Sequence, residues 1–409
     1  METATNEASG PLKGFRIVEL AMWAAGPMVG GILADWGADI IKIESPDGGD
    51  PFRALNLRPG QETVSETSLE FLVNNRAKRS IALDVKTADG RRVALELIEK
   101  ADVFLTNLRA NALERMGLDY DTIHQAYPEL VYCHVTGYGA QGEWRDRAAY
   151  DVGAFYARAA VAATLLPEGD EPMMRCGAFG DYYTAMAAAG GVCAALLARH
   201  KTGRGQRVLG SLLRTGAYAV SAHLDRLLHG TPPRAVKSRK EILNPMNNCY
   251  RDSDGKWFWL LGLQGDRMWP AVTRVIGRPE METDPRFDSM ETRGNNGVEL
   301  TAILDGAFAT RPLEQWAPLF EREDIWWTPV NDGHDLLKDP QLRAAGGLAS
   351  LPTTQGKEIE IIPAPIDFDA TPWKIRGAAP ELGQHTEEIL LELGRDWDEI
   401  ARLKEKRVI

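Results

Sequence analysis

Asp181 stands at the mouth of an uncharged run, with no other charged residue on its C-terminal side as far as Ala198. The stretch reads Arg175-Cys-Gly-Ala-Phe-Gly-Asp181-Tyr-Tyr-Thr-Ala-Met, and the run closes at Arg199-His-Lys-Thr-Gly-Arg-Gly205-Gln. An acid so placed has two uses. It can cap a helix that begins just after it by accepting an unpaired N–H. It can also be a nucleophile, kept ionised and oriented by the positive end of that helix. A capping position can present a nucleophile, so the two uses are compatible. Gly180 ahead of it gives backbone freedom and room for a ligand to approach.

The elements that must position this acid follow a regular order. Phe15 to Leu20 reads as a strand, Gly26-Pro27 as a turn into an apolar-periodic helix ending near Asp35, and Asp39 to Glu44 as a second strand. Ser80 to Asp84, a helix over Arg91 to Lys100, and Asp102 to Thr106 repeat the pattern, and Leu130 to Val135 adds another strand. Strands alternating with helices predict a doubly wound α/β fold with a parallel sheet. The glycines of Ala24-Ala-Gly-Pro-Met-Val-Gly-Gly do not make G-x-G-x-x-G, and no P-loop is present, so neither dinucleotide nor Walker-type nucleotide binding is expected. The run from Ala185 to Ala198 is too short for a membrane span and rich in Ala and Gly, which predicts a tightly packed interior helix.

From about Arg226 to Arg251 the periodicity lapses into a loop-rich crossing that includes Lys237-Ser-Arg-Lys240 and Asn244-Pro245. A hairpin turning at Asp254-Gly255 and helices near Arg267 to Ile276, Val298 to Ala309 and Leu313 to Arg322 then predict a smaller α+β domain. A strand over Lys357 to Ile362 and two closing helices complete the chain.

With 409 residues the chain is long enough for two domains, and 44% hydrophobic with 26% charged residues is ordinary for a globular protein. A net charge of −11 argues against a nucleic-acid partner. Cys133, Cys176, Cys193 and Cys249 lack metal-ligand spacing and read as reduced thiols, so no metal is expected. The first ten residues are polar and acidic, without a signal or transit pattern, and the expectation is a cytoplasmic protein with no membrane partner.

In order along the chain, Pro11 to Leu20, Ala25-Gly-Pro, Asp35 to Glu44, Asn75 to Asp84, Ala101 to Asn107, Gly180-Asp181, Lys201 to Gln206 and Leu382-Gly-Gln-His385-Thr resemble the family III CoA-transferases. The resemblance spans nearly the whole chain. It implies a large Rossmann-like domain built from both chain ends (1–225 and 326–409), a linker and small domain between them (226–325), and an interlocked homodimer. It implies an acyl-CoA:carboxylate CoA-transferase with no tightly bound cofactor, coenzyme A entering as acyl-CoA substrate and leaving as product. Asp181 falls on the family nucleophile, which forms aspartyl anhydride and aspartyl-CoA thioester intermediates. Asn75, Arg76, Lys78, Asn107, Leu108, Arg109, Arg115 and Met116 fall on positions lining the CoA groove.

Tyr150-Asp151 departs from the His-Asp pair of the racemase branch. A tyrosine, with an ordinary pKa near 10, is a poor base at neutral pH. The pair is expected to shape an acyl pocket with Ala24, which takes the place of a glutamine in formyl-CoA transferase. Ala24, Met22 and Trp23 together suggest an apolar pocket for an aromatic or longer acyl group. An acyl-CoA racemase or epimerase, and a non-catalytic CoA-binding protein in which Asp181 is only a cap, remain as alternatives.

Overall fold

Ile17, Val18 and Leu20 are all buried, as a strand must be when helices cover both faces of a parallel sheet. The computed structural model describes residues 10–55, 68–167, 169–172, 176–232 and 238–409. Arg175 and Lys237, which the sequence reading included, lie outside the described residues. Strands β1 (Arg16–Leu20), β2 (Asp39–Glu44), β3 (Arg79–Ala82), β4 (Val103–Thr106), β5 (Val131–Thr136) and β6 (Arg207–Ser211) form one sheet in the order β3-β2-β1-β4-β5-β6. Every pairing is parallel. The order reverses between β1 and β4, the switch point at whose C-terminal side such sheets bind ligands. The mixed α/β class and parallel sheet are as the sequence predicts. Strand β6 was not foreseen, because Arg-Val-Leu-Gly-Ser carries only two large apolar residues.

Helices α1 (Ala25–Asp35), α2 (Leu69–Asn75), α3 (Ala88–Glu99), α4 (Ala110–Met116), α5 (Tyr120–Ala126), α6 (Val161–Leu165), α7 (Phe179–Thr202), α8 (Leu212–Ala219) and α9 (Ser221–Leu228) belong to the same unit. One face of the sheet packs against α1 and α7, and the other against α3 and the last two helices of the chain. Helix α7 begins before the apolar run and is 24 residues long. Its expected interior character holds for one face only: Ala185, Ala188, Ala189, Val192 and Ala195 are buried, whereas Tyr183, Ala187, Gly190, Ala194 and Leu197 are exposed.

The described residues fall into two compact units, one drawn from 1–165, 172–229 and 346–409 and the other from 166–171 and 230–345. The second unit has the antiparallel strands β7 (Cys249–Arg251), β8 (Trp257–Leu260) and β9 (Trp327–Pro329). Its helices are α10 (Gly265–Val275), α11 (Met290–Asn295), α12 (Gly297–Phe308), α13 (Leu313–Arg322), α14 (Gly333–Lys338) and α15 (Pro340–Ala344). Its core gathers Tyr250, Phe258, Trp269, Phe308, Trp316 and Phe320. In the first unit the returning chain adds the hairpin of β10 (Ala349–Pro352) and β11 (Glu358–Ile361), then α16 (Thr386–Glu392) and α17 (Trp397–Glu405). The Gly-Gln-His-Thr turn before α16 closes the open edge of β3. His385 Nδ1 accepts from the Ser80 N–H at 3.1 Å, the His385 N–H donates to the Ser80 carbonyl at 2.9 Å, and Thr386 Oγ1 accepts from the Ala82 N–H at 3.0 Å.

Charge is buried where β1, β2 and α1 meet. Lys78 Nζ lies 2.8 Å from Glu19 Oε2, and Lys42 Nζ lies 3.1 Å from Glu19 Oε1 and 3.0 Å from Asp50 Oδ2. All four side chains are sealed from solvent. Lys42 also donates to the Ala21 carbonyl at 2.8 Å, and Lys78 to the Pro27 carbonyl at 2.7 Å. Gly30 leaves the space for this: a Cβ there would collide with Glu19 Oε2 and the end of Lys78. Gly30 therefore serves packing around buried charge, and Gly26 the close approach of Ala21 and Asn107.

Removing one partner of such a pair leaves the other charged and unsolvated. Glu19→Ala should cost about 3 to 5 kcal/mol. Glu388→Ala, which breaks a half-exposed pair with Arg79, should cost no more than about 1 kcal/mol. Urea titration of the two variants measures the contrast, and equal losses would contradict it.

Candidate active site

Ala178 precedes α7 in the left-handed conformation, with φ +60°, and has no side chain that can cap a helix. The cap comes from 29 residues upstream, where Asp151 Oδ1 accepts the Gly180 N–H at 3.0 Å. Asp181 is thus the third residue of α7, and the reading of it as the cap is corrected. Gly180 is needed for this approach: a Cβ would run into the Phe155 ring and the Asp151 carboxylate. The room at Gly180 is taken by the protein, not left for a ligand.

Among the described residues no cation pairs with either acid. Burial, with the Asp151 charge added, pushes the Asp181 carboxyl up to about 7. Burial also raises Asp151, against the pull of its Gly180 bond, and its Oδ2 has no hydrogen-bond partner.

The segment Ala21–Ala24 runs from the end of β1 towards this corner. Asn107 grips it, accepting from the Met22 N–H at 3.0 Å and donating to the Met22 carbonyl at 2.7 Å. Trp23 has φ +67° and donates its N–H to Asp50 Oδ1 at 3.0 Å. Its indole meets the rings of Phe52 and Tyr150 edge to face, at 5.8 and 6.0 Å. The Tyr150 ring is 62% exposed beside the buried Asp151. Ala24 is only 5% exposed and packs with Phe71 and Leu72, so its methyl adds little to any pocket wall.

Beyond Met22, at the C-terminal ends of β1, β2 and β3, opens a cavity of about 480 Å³. Its walls include Leu20, Ile43, Val85 and Leu108, and Lys86, Arg91 and Arg115 stand around it, with Asp84 also lining it. The side chains of the three cations are exposed, and no ion pair is seen for them among the described residues.

Of the residues expected to line a groove, Leu108, Arg115 and Met116 do line this cavity. Asn107 acts on it through Met22, and Arg109 begins α4 with an exposed side chain. Asn75, Arg76 and Lys78 precede β3 instead of following it and do not line the cavity. Arg76 is bound to Asp35 at 2.9 Å, and Asn75 Oδ1 accepts from Lys78 at 2.9 Å. Lys86 and Arg91 were missed, although their place just past the third strand of a parallel sheet was the available signal. Among the described residues no cluster of His, Cys, Asp or Glu is arranged to hold a metal ion, and no helix is long and apolar enough to cross a membrane.

The model of CoA-transferase family III matches residues 12–386. The chain belongs to that family. It is an enzyme, and the family works on CoA thioesters. It is 31% identical to the (R)-2-hydroxy-4-methylpentanoate CoA-transferase of Clostridioides difficile, over 97% of this chain and 99% of that one. It is 30% identical to the succinate–glutarate CoA-transferase of Agrobacterium fabrum, over 94% and 96%. Among solved structures it is similar to a CAIB/BAIF family protein from Brucella suis, with TM-score 0.81, 29% identity and coverage of 94% of this chain and 100% of that one.

The raised Asp181 carboxyl has a consequence for stability. Its folded pKa, about 7, lies above the ordinary 3.8. Folding is therefore penalised by its charge only when it is ionised: the penalty is absent below about pH 4, grows to pH 7 and is complete above. Asp181→Asn should raise the melting temperature by a few °C at pH 8 and change it little at pH 4. Thermal denaturation at the two pH values checks this, and an equal shift at both would count against a raised carboxyl.

Proposed function

We propose that this transferase moves CoA from an acyl-CoA thioester to a carboxylic acid through covalent intermediates on Asp181. An Asp181 oxygen attacks the thioester carbonyl carbon, and the C–S bond breaks to give an acyl-aspartyl anhydride and CoA thiolate. The thiolate then attacks the aspartyl carbonyl, expelling the first acid as carboxylate and leaving an aspartyl-CoA thioester. The acceptor carboxylate attacks that thioester, again expelling thiolate. The thiolate takes the acceptor's acyl group, and Asp181 is regenerated as carboxylate. No proton is gained or lost over the cycle.

The observation that carries this reading is a carboxylate held in the first turn of a 24-residue helix with no cation paired to it among the described residues. Asp151 fixes the helix end that presents it. We assign coenzyme A to the cavity beyond Met22, where unpaired Lys86, Arg91 and Arg115 suit phosphates and the apolar walls suit the adenine and pantetheine. Leu108 and Met116 would be contacts, with Asn107 and Arg109 setting the adjoining loops and Asn75, Arg76 and Lys78 bracing the structure beneath. Tyr150 and Asp151 border the acyl group. We further infer a homodimer in the cytoplasm, consistent with exposed Tyr183, Leu197, Tyr218 and Leu228 on α7 to α9. Relatives named for an apolar hydroxy acid and for dicarboxylates are about equally similar, so similarity alone does not choose the acceptor.

Asp181→Ala should abolish transfer while CoA binding, followed by calorimetry, stays within about threefold. Mass spectrometry of the native enzyme during turnover should find acyl or CoA mass on the peptide holding Gly180-Asp181; an adduct on another residue would defeat the assignment. The pH profile offers a second check. Activity, as kcat/KM, should rise as Asp181 ionises near pH 7. Asp151→Asn keeps an oxygen for the Gly180 N–H but removes the repelling charge, so this limb should move to lower pH. An unmoved limb would show that the Asp151 charge does not act on the nucleophile.

A further inference from the structure

Trp23 holds a backbone conformation that L side chains resist, φ +67°. It is pinned from both sides, by Asp50 through its own N–H and by Asn107 through Met22. Asp50 in turn is held by buried Lys42 at 3.0 Å. The indole's direction is thus imposed by the scaffold. Edge-on contacts with Phe52 and Tyr150 make an aromatic wall, and Trp23 packs in the same cluster as Ala178, the residue from which α7 begins. Tyr150 adjoins Asp151 in the chain, and Asp151 holds the Gly180 N–H, so the wall is tied to the helix end that carries Asp181.

The charges around the wall have a one-sided balance. Lys42 and Lys78 are bound to Glu19, Arg53 to Glu44 and Arg76 to Asp35. Each of these cations already has its carboxylate. A second carboxylate on an acyl chain would meet aromatic rings, Asp151 and Asp181, and would find none of these four cations free.

We propose that Trp23 and Tyr150 are specificity-determining residues that select acyl groups of monocarboxylic acids with an aromatic or branched apolar side chain over those of dicarboxylic acids. This rests on the reading of Asp181 as nucleophile. A flat apolar group gains contact with the indole and phenol rings, whereas a terminal carboxylate must shed water while Lys42, Lys78, Arg53 and Arg76 are already paired.

The test needs only the first half-reaction of the full-length enzyme, read as hydroxylamine-dependent release of CoA from cinnamoyl-CoA and from succinyl-CoA. Native enzyme should favour cinnamoyl-CoA at least tenfold in kcat/KM. Trp23→Gly suits the left-handed backbone and should fold, with the preference falling to threefold or less. Tyr150→Ala removes a mostly exposed ring and should lower the preference part of the way. Release from succinyl-CoA equal to or faster than from cinnamoyl-CoA, or a preference untouched by both substitutions, would overturn the selectivity while leaving Asp181 as nucleophile. If Asp181 gives no hydroxylamine-dependent release with either donor, the nucleophile reading fails and this proposal fails with it.

Discussion

Glu19, next to the C-terminal end of the central strand β1, is shared by two buried lysines, and the arrangement of the site depends on that sharing. Moving a carboxylate and two ammonium groups out of water is costly unless charges cancel and remaining donors find acceptors. Asp50 supplies the second negative charge, and the carbonyls of Ala21 and Pro27 take further protons of the two lysines. Burial opposes the charge of Lys42, but Glu19 and Asp50 together hold its pKa above the ordinary lysine value. Lys78 has Glu19 without a second carboxylate in contact, and burial, reinforced by Lys42, lowers it to about 8. The two lysines bridge β1 to β2 and to the start of β3. Asp50 carries the same network outward, because its other oxygen receives the N–H groups of Trp23 and Phe52. The tryptophan beside the candidate nucleophile is thus braced by the most deeply buried charges in the unit.

The surroundings of the candidate nucleophile follow the opposite rule. Asp35, Glu19 and Glu44 each have a cation, whereas Asp151 has only backbone N–H groups at the start of α7, an Oδ2 without a partner among the described residues and a second acid nearby. Left-handed backbone at Trp23 and Ala178 adds strain at the same corner. Such costs persist where the surrounding structure is firm enough to enforce them. A satisfied interior and an unsatisfied corner are therefore parts of one arrangement.

Much of this was legible in the chain, and the reasons for the failures are specific. The order of strands and helices follows from alternating apolar periodicities, which local sequence determines. Asp181 stood out because no other charge follows it for 17 residues. The cap on α7 was not legible, since it comes from Asp151 and a hydrogen bond across 29 residues leaves no local pattern. For the same reason Arg76 read as a cation lining the CoA groove, although its partner, Asp35, ends α1. The left-handed Trp23 was hidden too, because nothing in the residue type suggests that conformation. Helix α7 misled through its composition: alanine and glycine suit a buried helix equally well on a face that the described chain leaves open.

The raised carboxyl of Asp181 bears on the direction of the proposed exchange as well as on its onset. In an acyl-aspartyl anhydride the CoA thiolate can attack either carbonyl. Attack on the acyl carbon expels Asp181 and returns the starting thioester. Attack on the aspartyl carbon expels the substrate acid and carries the reaction forward. The better leaving group is the weaker base. An ordinary carboxylic acid has a pKa of about 4, while that of Asp181 lies at about 7. Burial and the Asp151 charge thus make Asp181 the poorer leaving group of the two, which favours the forward step of the first half-reaction and opposes the closing step, in which the thiolate must expel Asp181 from the second anhydride. The same placement makes it a more basic nucleophile towards the incoming thioester. A cation beside Asp181 would reverse both effects, and among the described residues none pairs with it.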